Sequence, residues 1–512
     1  MSFLIALSAL FALFFAVVWF QSKTDVPRIK NLPEVPGVPI FGNLLQLAEA
    51  PQKVAAAWAK EYGPVFQTRF GNRRVIFANS FDAVRDLWIK QQSSLMSRPT
   101  NYTFHSVVSS SRGFTIGTSP WDESCKQRRK ATATALNRPA VQSYMPILDL
   151  MSTACIKELY DDSRAGSNAI DTTGYFRRFS LNTVLMLNYG MRIGRSDDGS
   201  LLKEIGVVES EVSKFRNTFS HWQDYIPILR FVPRSNARAD EFRMRRDVYM
   251  DRLLKMLKDR ISAGTDTPSI IGNILKDPEA RLSDTEVQSI CLSVITASNH
   301  TVPGNLIIST EFLASPRGQG VQKRAYDSIM AAYPRGDAWE KCVLEESIPY
   351  MTAFYKEVLR FTSILPMSLP RTSTKDIEWE GATIPAGTMF QMNAWAANFD
   401  DAHFKDPQSF EPERYMGDNA SDGTSHYSYG AGTRMCVASH LANRELFVAF
   451  VRVISAFEIL PSEASEDQST SGFDLDGMGD RTGKPMKVRL RIRDEEKLEQ
   501  WIEDSELRTK DL

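Results

Sequence analysis

The sequence predicts a mainly α-helical protein with small β-sheets, preceded by one N-terminal transmembrane helix. Three observations carry this. Ser2–Phe20 (SFLIALSALFALFFAVVWF) is almost wholly apolar and matches the about 20 residues a helix needs to cross a bilayer's hydrocarbon. Arg281–Ser315 keeps apolar residues nearly all round a helical wheel, the pattern of a helix buried through a core. The β-rich stretches are few, short and fenced by Gly, Asn and Pro.

In chain order, the apolar run competes between an anchor and a cleaved signal peptide. No small-residue cleavage site follows it; Gln21, Ser22, Lys23, Arg28 and Lys30 come instead, so an uncleaved anchor over residues 1–22 is expected. Basic residues on that flank keep it in the cytoplasm, which predicts a single-pass endoplasmic-reticulum protein with a cytosolic body. Residues 23–45 contain LPEVPGVPIFGN (Leu32–Asn43), whose prolines and glycines predict a stiff connector that neither helix nor sheet runs through. The body, 46–512, begins with two β-rich stretches around Gly71-Asn72, a hairpin signal. Ser283-x-x-Glu286 reads as a capping box opening the Arg281–Ser315 helix. That helix is expected to be the longest internal one, with Pro303 producing a kink or opening near Asn299–Val302. Asp376–Met392 predicts short strands, and Met486–Arg493 alternates Val488, Leu490 and Ile492 with basic residues. The charged tail after Arg493 is expected to be a solvated helix or a frayed end. Without repeats or a low-complexity linker between Gly63 and Arg493, one large mixed domain is expected.

Of the 512 residues, 43% are hydrophobic, enough for a large core. Lys+Arg 61 against Asp+Glu 62 leaves a formal charge of -1, which argues against a polyanion-binding surface and therefore against nucleic acid as partner. The cysteines Cys125, Cys155, Cys291, Cys342 and Cys436 are odd in number, with neither a CxxC pair nor zinc-like spacing. A reducing compartment fits, and each thiol must be judged alone.

Cys436 stands apart, in YSYGAGTRMCVASHLANREL (Tyr427–Leu446), between a glycine-rich, arginine-bearing loop and a helix start. A core-filling cysteine seldom has this setting; a thiolate needs backbone N–H groups and positive charge around it. Tyr429, Gly432, Arg434 and Cys436 resemble the haem-binding signature F-x-x-G-x-R-x-C-x-G of the cytochrome P450 family, with Tyr429 for Phe and Ala438 for the final Gly. Further matches precede the loop. Glu357 and Arg360 in YKEVLRF resemble the family's E-x-x-R, and Arg414 in FEPERYM the partner that completes its ion network. Arg371 matches a propionate-binding arginine. PWDESCKQRRK resembles the W-x-x-x-R helix, but Cys125 stands where the arginine belongs, leaving Trp121 and Arg128 as candidate propionate ligands. Lys126, Arg129 and Lys130 form either a docking patch for an acidic redox partner or a plain solvated face.

Ala297–Thr301 (ASNHT) occupies the place of the family's A-G-x-D-T, with Ser298 for Gly and His300 for Asp. The resemblance implies that Thr301 hydrogen-bonds bound dioxygen and helps deliver protons. His300 either relays protons, which its unperturbed pKa of roughly 6.5 suits, or makes a core or substrate contact. The substrate wall implied by the resemblance includes Phe104, Phe114, Val302 and Ile364–Met367, among them Leu365 and Met367.

The resemblance spans nearly the whole chain and implies the cytochrome P450 fold with haem b (iron protoporphyrin IX) held by Cys436. It implies a monooxygenase using O2 and electrons from NADPH through NADPH-cytochrome P450 reductase. The local wording is similar to fungal phenylacetate hydroxylases and to cresol-type hydroxylases of aromatic polyketide pathways, implying a small aromatic substrate, a phenol, cresol or arylacetic acid. Two alternatives stand beside it: a haem-thiolate rearrangement enzyme without external reductant, and a non-catalytic haem sensor.

Overall fold

Gly71 takes φ +51°, and a Cβ there would meet the Tyr225 carbonyl oxygen at 2.2 Å. Only glycine makes this turn without strain, and it closes β1 (Val65–Phe70) onto β2 (Arg73–Ala78) as the expected antiparallel hairpin. The computed structural model describes residues 23–164, 166–194, 199–232, 236–277, 281–417, 425–462 and 486–512. The expected anchor, Ser2–Phe20, lies outside them; among the described residues no helix is long and apolar enough to cross a membrane.

The remaining strands are β3 (Ala169–Ile170), β4 (Arg371–Thr372), β5 (Ile377–Trp379), β6 (Ala382–Ile384), β7 (Met389–Met392), β8 (Phe457–Pro461) and β9 (Val488–Ile492). They form three small sheets, ordered β1-β2-β7-β4, β3-β9-β8 and β5-β6. The first is not local: β2 pairs in parallel with β7, Val75 opposite Met389, so sheet formation brings together segments far apart in the chain.

The helical mass contains α1 (Pro51–Tyr62), α2 (Glu123–Ala135), α3 (Met145–Ser163), α4 (Thr173–Tyr189), α5 (Gly199–Phe215) and α6 (Ala237–Ala263), then α7 (Asp284–Ser298), α8 (Thr301–Ala314), α9 (Pro349–Thr362), α10 (Ser439–Ala456) and α11 (Glu495–Arg508). Leu148, Leu185, Leu292, Leu306, Phe354 and Phe447, from α3, α4, α7, α8, α9 and α10, are all 0% exposed in one core. Each such side chain contributes about 1.5–3 kcal/mol by burial.

Two expectations change in the structure. The Arg281–Ser315 segment is two helices, with the capping box of Ser283 and Glu286 opening α7 as expected. The chain breaks at Asn299–His300, so α6, at 27 residues, is longer than either piece. Pro303 falls in the first turn of α8, where a backbone N–H has no helical acceptor and its absence costs nothing. The connector carries no helix or strand among its described residues, as expected, and it is tied to the body: the side chain of Gln67 on β1 donates to the carbonyls of Ile29 and Leu32 and accepts from the Ile29 N–H. The charged tail is a docked amphipathic helix. Leu498 and Ile502 of α11 are buried, and Trp501 stacks on Trp339 at 5.2 Å.

Candidate functional site

Gly432 has φ +59°, and a Cβ there would meet the Trp88 carbonyl oxygen at 2.1 Å. The glycine therefore lets a short 3-10 turn, Gly432–Arg434, press against Trp88 and deliver Cys436 just ahead of α10. The Cys436 N–H donates to the Tyr429 carbonyl at 3.0 Å. Tyr429, in place of phenylalanine, has its own reason: its hydroxyl donates to Asn443 Oδ1 at 2.6 Å, and burial holds its pKa well above the usual tyrosine value. Ala438 sits at φ −99°, ψ 16°, a conformation open to alanine, so the missing glycine costs no strain there. Burial pushes the Cys436 thiol up, while the Ala438 N–H and the nearby Arg129 guanidinium pull it down. Cys436 presents accessible surface, whereas Cys125, Cys155, Cys291 and Cys342 are buried.

Arginines converge on this loop. Arg434 donates to the carbonyls of Met96, Ile116 and Ser119, and its guanidinium lies 5.6 Å over the Trp121 ring. Arg371 donates to Leu95 and Ala431, Arg129 to Thr433 and Met435, and Arg98 to Leu369 and Pro370. Burial and mutual repulsion depress the pKa values of Arg98 and Arg371, and burial depresses those of Arg129 and Arg434. Among the described residues none of the four forms an ion pair, and Nε of Arg98 and Arg434 is buried without an acceptor. Buried cations with spare donors and no carboxylate are unfavourable alone and complementary to a dianion. The site therefore fits haem: a thiol ligand with its N–H donor, and guanidiniums for two propionates.

Arg128, the expected propionate ligand paired with Trp121, is buried close enough to Arg434 for its charge to act on that guanidinium. Its guanidinium donates to Ser124 O, Phe114 O, Ser289 Oγ and Ser119 Oγ, which ties α2 to α7. Arg98 had no motif to reveal it, being a lone arginine before Pro99, and only the fold brings it to Arg371 and Arg434. Arg129 is not part of a solvated face, since it reaches under the cysteine loop; Lys126 and Lys130 remain exposed.

The Glu357, Arg360 and Arg414 network is present. Arg360 donates from Nε and Nη2 to the two Glu357 oxygens, both at 2.8 Å, and both side chains are 0% exposed. Arg414 Nε donates to Glu357 Oε1 at 3.2 Å, as does the Glu411 N–H at 2.8 Å. Arg360 also donates to the carbonyls of Asn398, Pro407 and Ser409. Asn398 then carries the anchorage onward: its Oδ1 accepts from the Tyr427 N–H, and its Nδ2 donates to Ser363 and Ser428. The charge network in α9 thus sets the position where the cysteine loop begins.

On the helix break, the Thr301 hydroxyl donates to the Ala297 carbonyl at 2.9 Å. Asn305 Nδ2 donates to the Thr301 carbonyl, and Thr362 of α9 donates to Asn305 Oδ1, so the first turn of α8 is braced from α9. Asn299 Nδ2 lies 3.1 Å from His300 Nε2; an amide NH2 only donates, so the ring accepts there. α8 packs on α10, the helix that follows Cys436. Of the expected substrate wall, Phe104 and Val302 are buried, Phe114 lies 4.9 Å from the His105 ring, and Leu365 is 48% exposed. Met367 instead packs into the cluster beneath the first sheet.

A family model, Cytochrome P450, matches residues 32–478. The chain is 58% identical over 513 residues to phenylacetate 2-hydroxylase of Emericella nidulans, covering 99% of each protein. It is 40% identical to a cytochrome P450 monooxygenase of Mycosarcoma maydis, over 93% of this chain and 89% of that one. To 3-hydroxyphenylacetate 6-hydroxylase of Emericella nidulans it is 38% identical, over 96% of this chain and 94% of that one.

Proposed function

Because the chain belongs to the cytochrome P450 family and is a monooxygenase of that family, we propose that it hydroxylates a small aromatic acid of the arylacetate type. The family implies haem b on a cysteine thiolate. Cys436 is that ligand in our reading, and NADPH-cytochrome P450 reductase supplies the electrons. The observation that carries the reading is the loop itself: a thiol with an N–H donor, beside four guanidiniums lacking carboxylate partners. The arylacetate is supported by likeness to proteins named phenylacetate 2-hydroxylase and 3-hydroxyphenylacetate 6-hydroxylase.

When bound, the haem supplies dioxygen activation: one oxygen atom enters a substrate C–H bond and the other leaves as water, with two electrons and two protons. The protein's residues do the rest. Ala438 N–H and Arg129 stabilise negative charge on Cys436. Arg98, Arg371 and Arg434 would hold the propionates, Arg434 steadied over Trp121. The Thr301 hydroxyl, now held by Ala297, can turn its proton toward the distal side while its lone pairs accept another. His300, whose Nε2 accepts from Asn299, is the second proton-transfer group at the helix break in this reading. Phe104, Phe114, Val302 and Leu365 supply the apolar wall in this reading.

We place the protein in aromatic catabolism or secondary-metabolite biosynthesis, in the endoplasmic reticulum membrane. Residues 1–22 serve as the anchor, 23–45 as the connector and 46–512 as the cytosolic haem domain. Support comes from the apolar run followed by Lys23, Arg28 and Lys30. With the reductase, NADPH-dependent conversion of phenylacetate to a hydroxylated product is expected; absence of product from any arylacetate would sink the substrate reading. Cys436→Ala should abolish the carbon-monoxide band typical of thiolate-ligated haem, and a retained band refutes the ligand.

A further inference from the structure

A cavity opens between the π-helical turn Tyr102–Val108, the end of α5 and Leu369–Pro370; Arg98, Phe104, His105, Arg216 and Leu369 line it. Arg216 follows the last residue of α5, and that corner is braced by stacking of Phe215 on His221 at 5.3 Å. Among the described residues the Arg216 guanidinium makes no hydrogen bond or ion pair, and its Nε is fully buried without a partner. Glu209, two turns back on α5, acts on it only through space, and so does the opposing cation Arg246. Glu209 is already engaged by the Tyr249 hydroxyl. Two guanidiniums therefore share one carboxylate, leaving a positive charge in excess beside the cavity.

His105 supplies a second donor. The Asn101 N–H donates to its Nδ1 at 2.8 Å, so the neutral ring carries its proton on Nε2, which is buried and closes no hydrogen bond, although the Thr118 backbone acts on the ring besides Asn101. Burial holds the ring neutral by lowering its pKa to about 4. Phe104 and Leu369 complete the walls with apolar surface. A guanidinium, a second N–H donor and an aromatic wall are what a carboxylate one carbon from a ring requires.

We infer that Arg216, with His105 Nε2, is the cradle for the carboxylate of an arylacetate substrate and the residue that makes the enzyme select acids over neutral aromatics. The inference rests on the arylacetate reading above and adds the residues that enforce it.

The test is a spin-state titration of the ferric holoenzyme with phenylacetate and with its neutral isostere phenylacetamide. Wild type should prefer the acid. Arg216→Gln should weaken phenylacetate by about 10- to 100-fold, the range for loss of a charged hydrogen-bond donor, while leaving phenylacetamide and the carbon-monoxide band unchanged. Arg216→Lys should recover part of the loss. Equal weakening of both ligands would reveal a structural role and overturn the cradle. Unchanged phenylacetate affinity and turnover in Arg216→Gln would overturn the cradle alone. A wild-type enzyme binding the amide as tightly as the acid would overturn the cradle and the acid substrate together.

Discussion

Replacing Glu357 with alanine tests how the fold holds the cysteine loop. The carboxylate accepts four hydrogen bonds, two from Arg360, one from Arg414 and one from the Glu411 N–H. Arg360 is 0% exposed, so its charge would remain buried with two donors unsatisfied. Removing one partner of a buried ion pair costs about 3–5 kcal/mol, a large share of the 5–15 kcal/mol typical of a folded protein. The loss should also reach the cysteine loop, because Arg360 holds the Asn398 carbonyl and Asn398 holds Tyr427. Urea unfolding of the holoprotein, followed by the carbon-monoxide band and by circular dichroism, should show the haem signal failing before the helices do. Glu357→Leu/Arg360→Met, which removes both charges, should be more stable than the single variant. A Glu357→Ala protein within about 1 kcal/mol of wild type, with a full band, would refute the reasoning.

Thr301→Ala should keep haem and substrate binding while more NADPH electrons leave as hydrogen peroxide; unchanged coupling removes Thr301 from proton delivery. Gly432→Ala should lower haem content severely, because its Cβ would collide with the Trp88 carbonyl, whereas Gly430→Ala, with nothing within 4 Å, should suffer only the φ penalty of roughly 1–2 kcal/mol. The His105 pKa falls from 6.5 to about 4 on folding, so the unfolded chain binds the extra proton first. Its contribution is complete above pH 6.5 and declines as pH falls toward 4, by up to about 3 kcal/mol. His105→Gln should flatten the acid limb of the stability profile measured by denaturant titration, and an unchanged limb refutes the assignment.

Local chemistry was legible because it acts over few residues. The Gly71-Asn72 turn, the Ser283 and Glu286 capping box, the break before Pro303 and the pairing of Glu357 with Arg360 all depend on neighbours within about one helical turn. The cysteine loop was legible for the same reason: its glycine, arginine and thiol lie within five consecutive residues. Arg98 and Arg216 carried no such mark. An arginine's surroundings depend on which distant segments close around it, and here those are Leu369–Pro370 for one and the Tyr102–Val108 turn for the other.

By itself the sequence determined the helical class, the short strands and the identity of the thiol loop, since periodicity, turn residues and motif spacing are properties of the chain. Only the tertiary structure decided which arginines meet at that loop, that Arg128 braces α2 against α7, and that β2 pairs with β7 across more than half the chain. The physical reason is that burial and charge balance belong to the assembled core. A guanidinium is the same group at every position until the fold removes its water and chooses its partners.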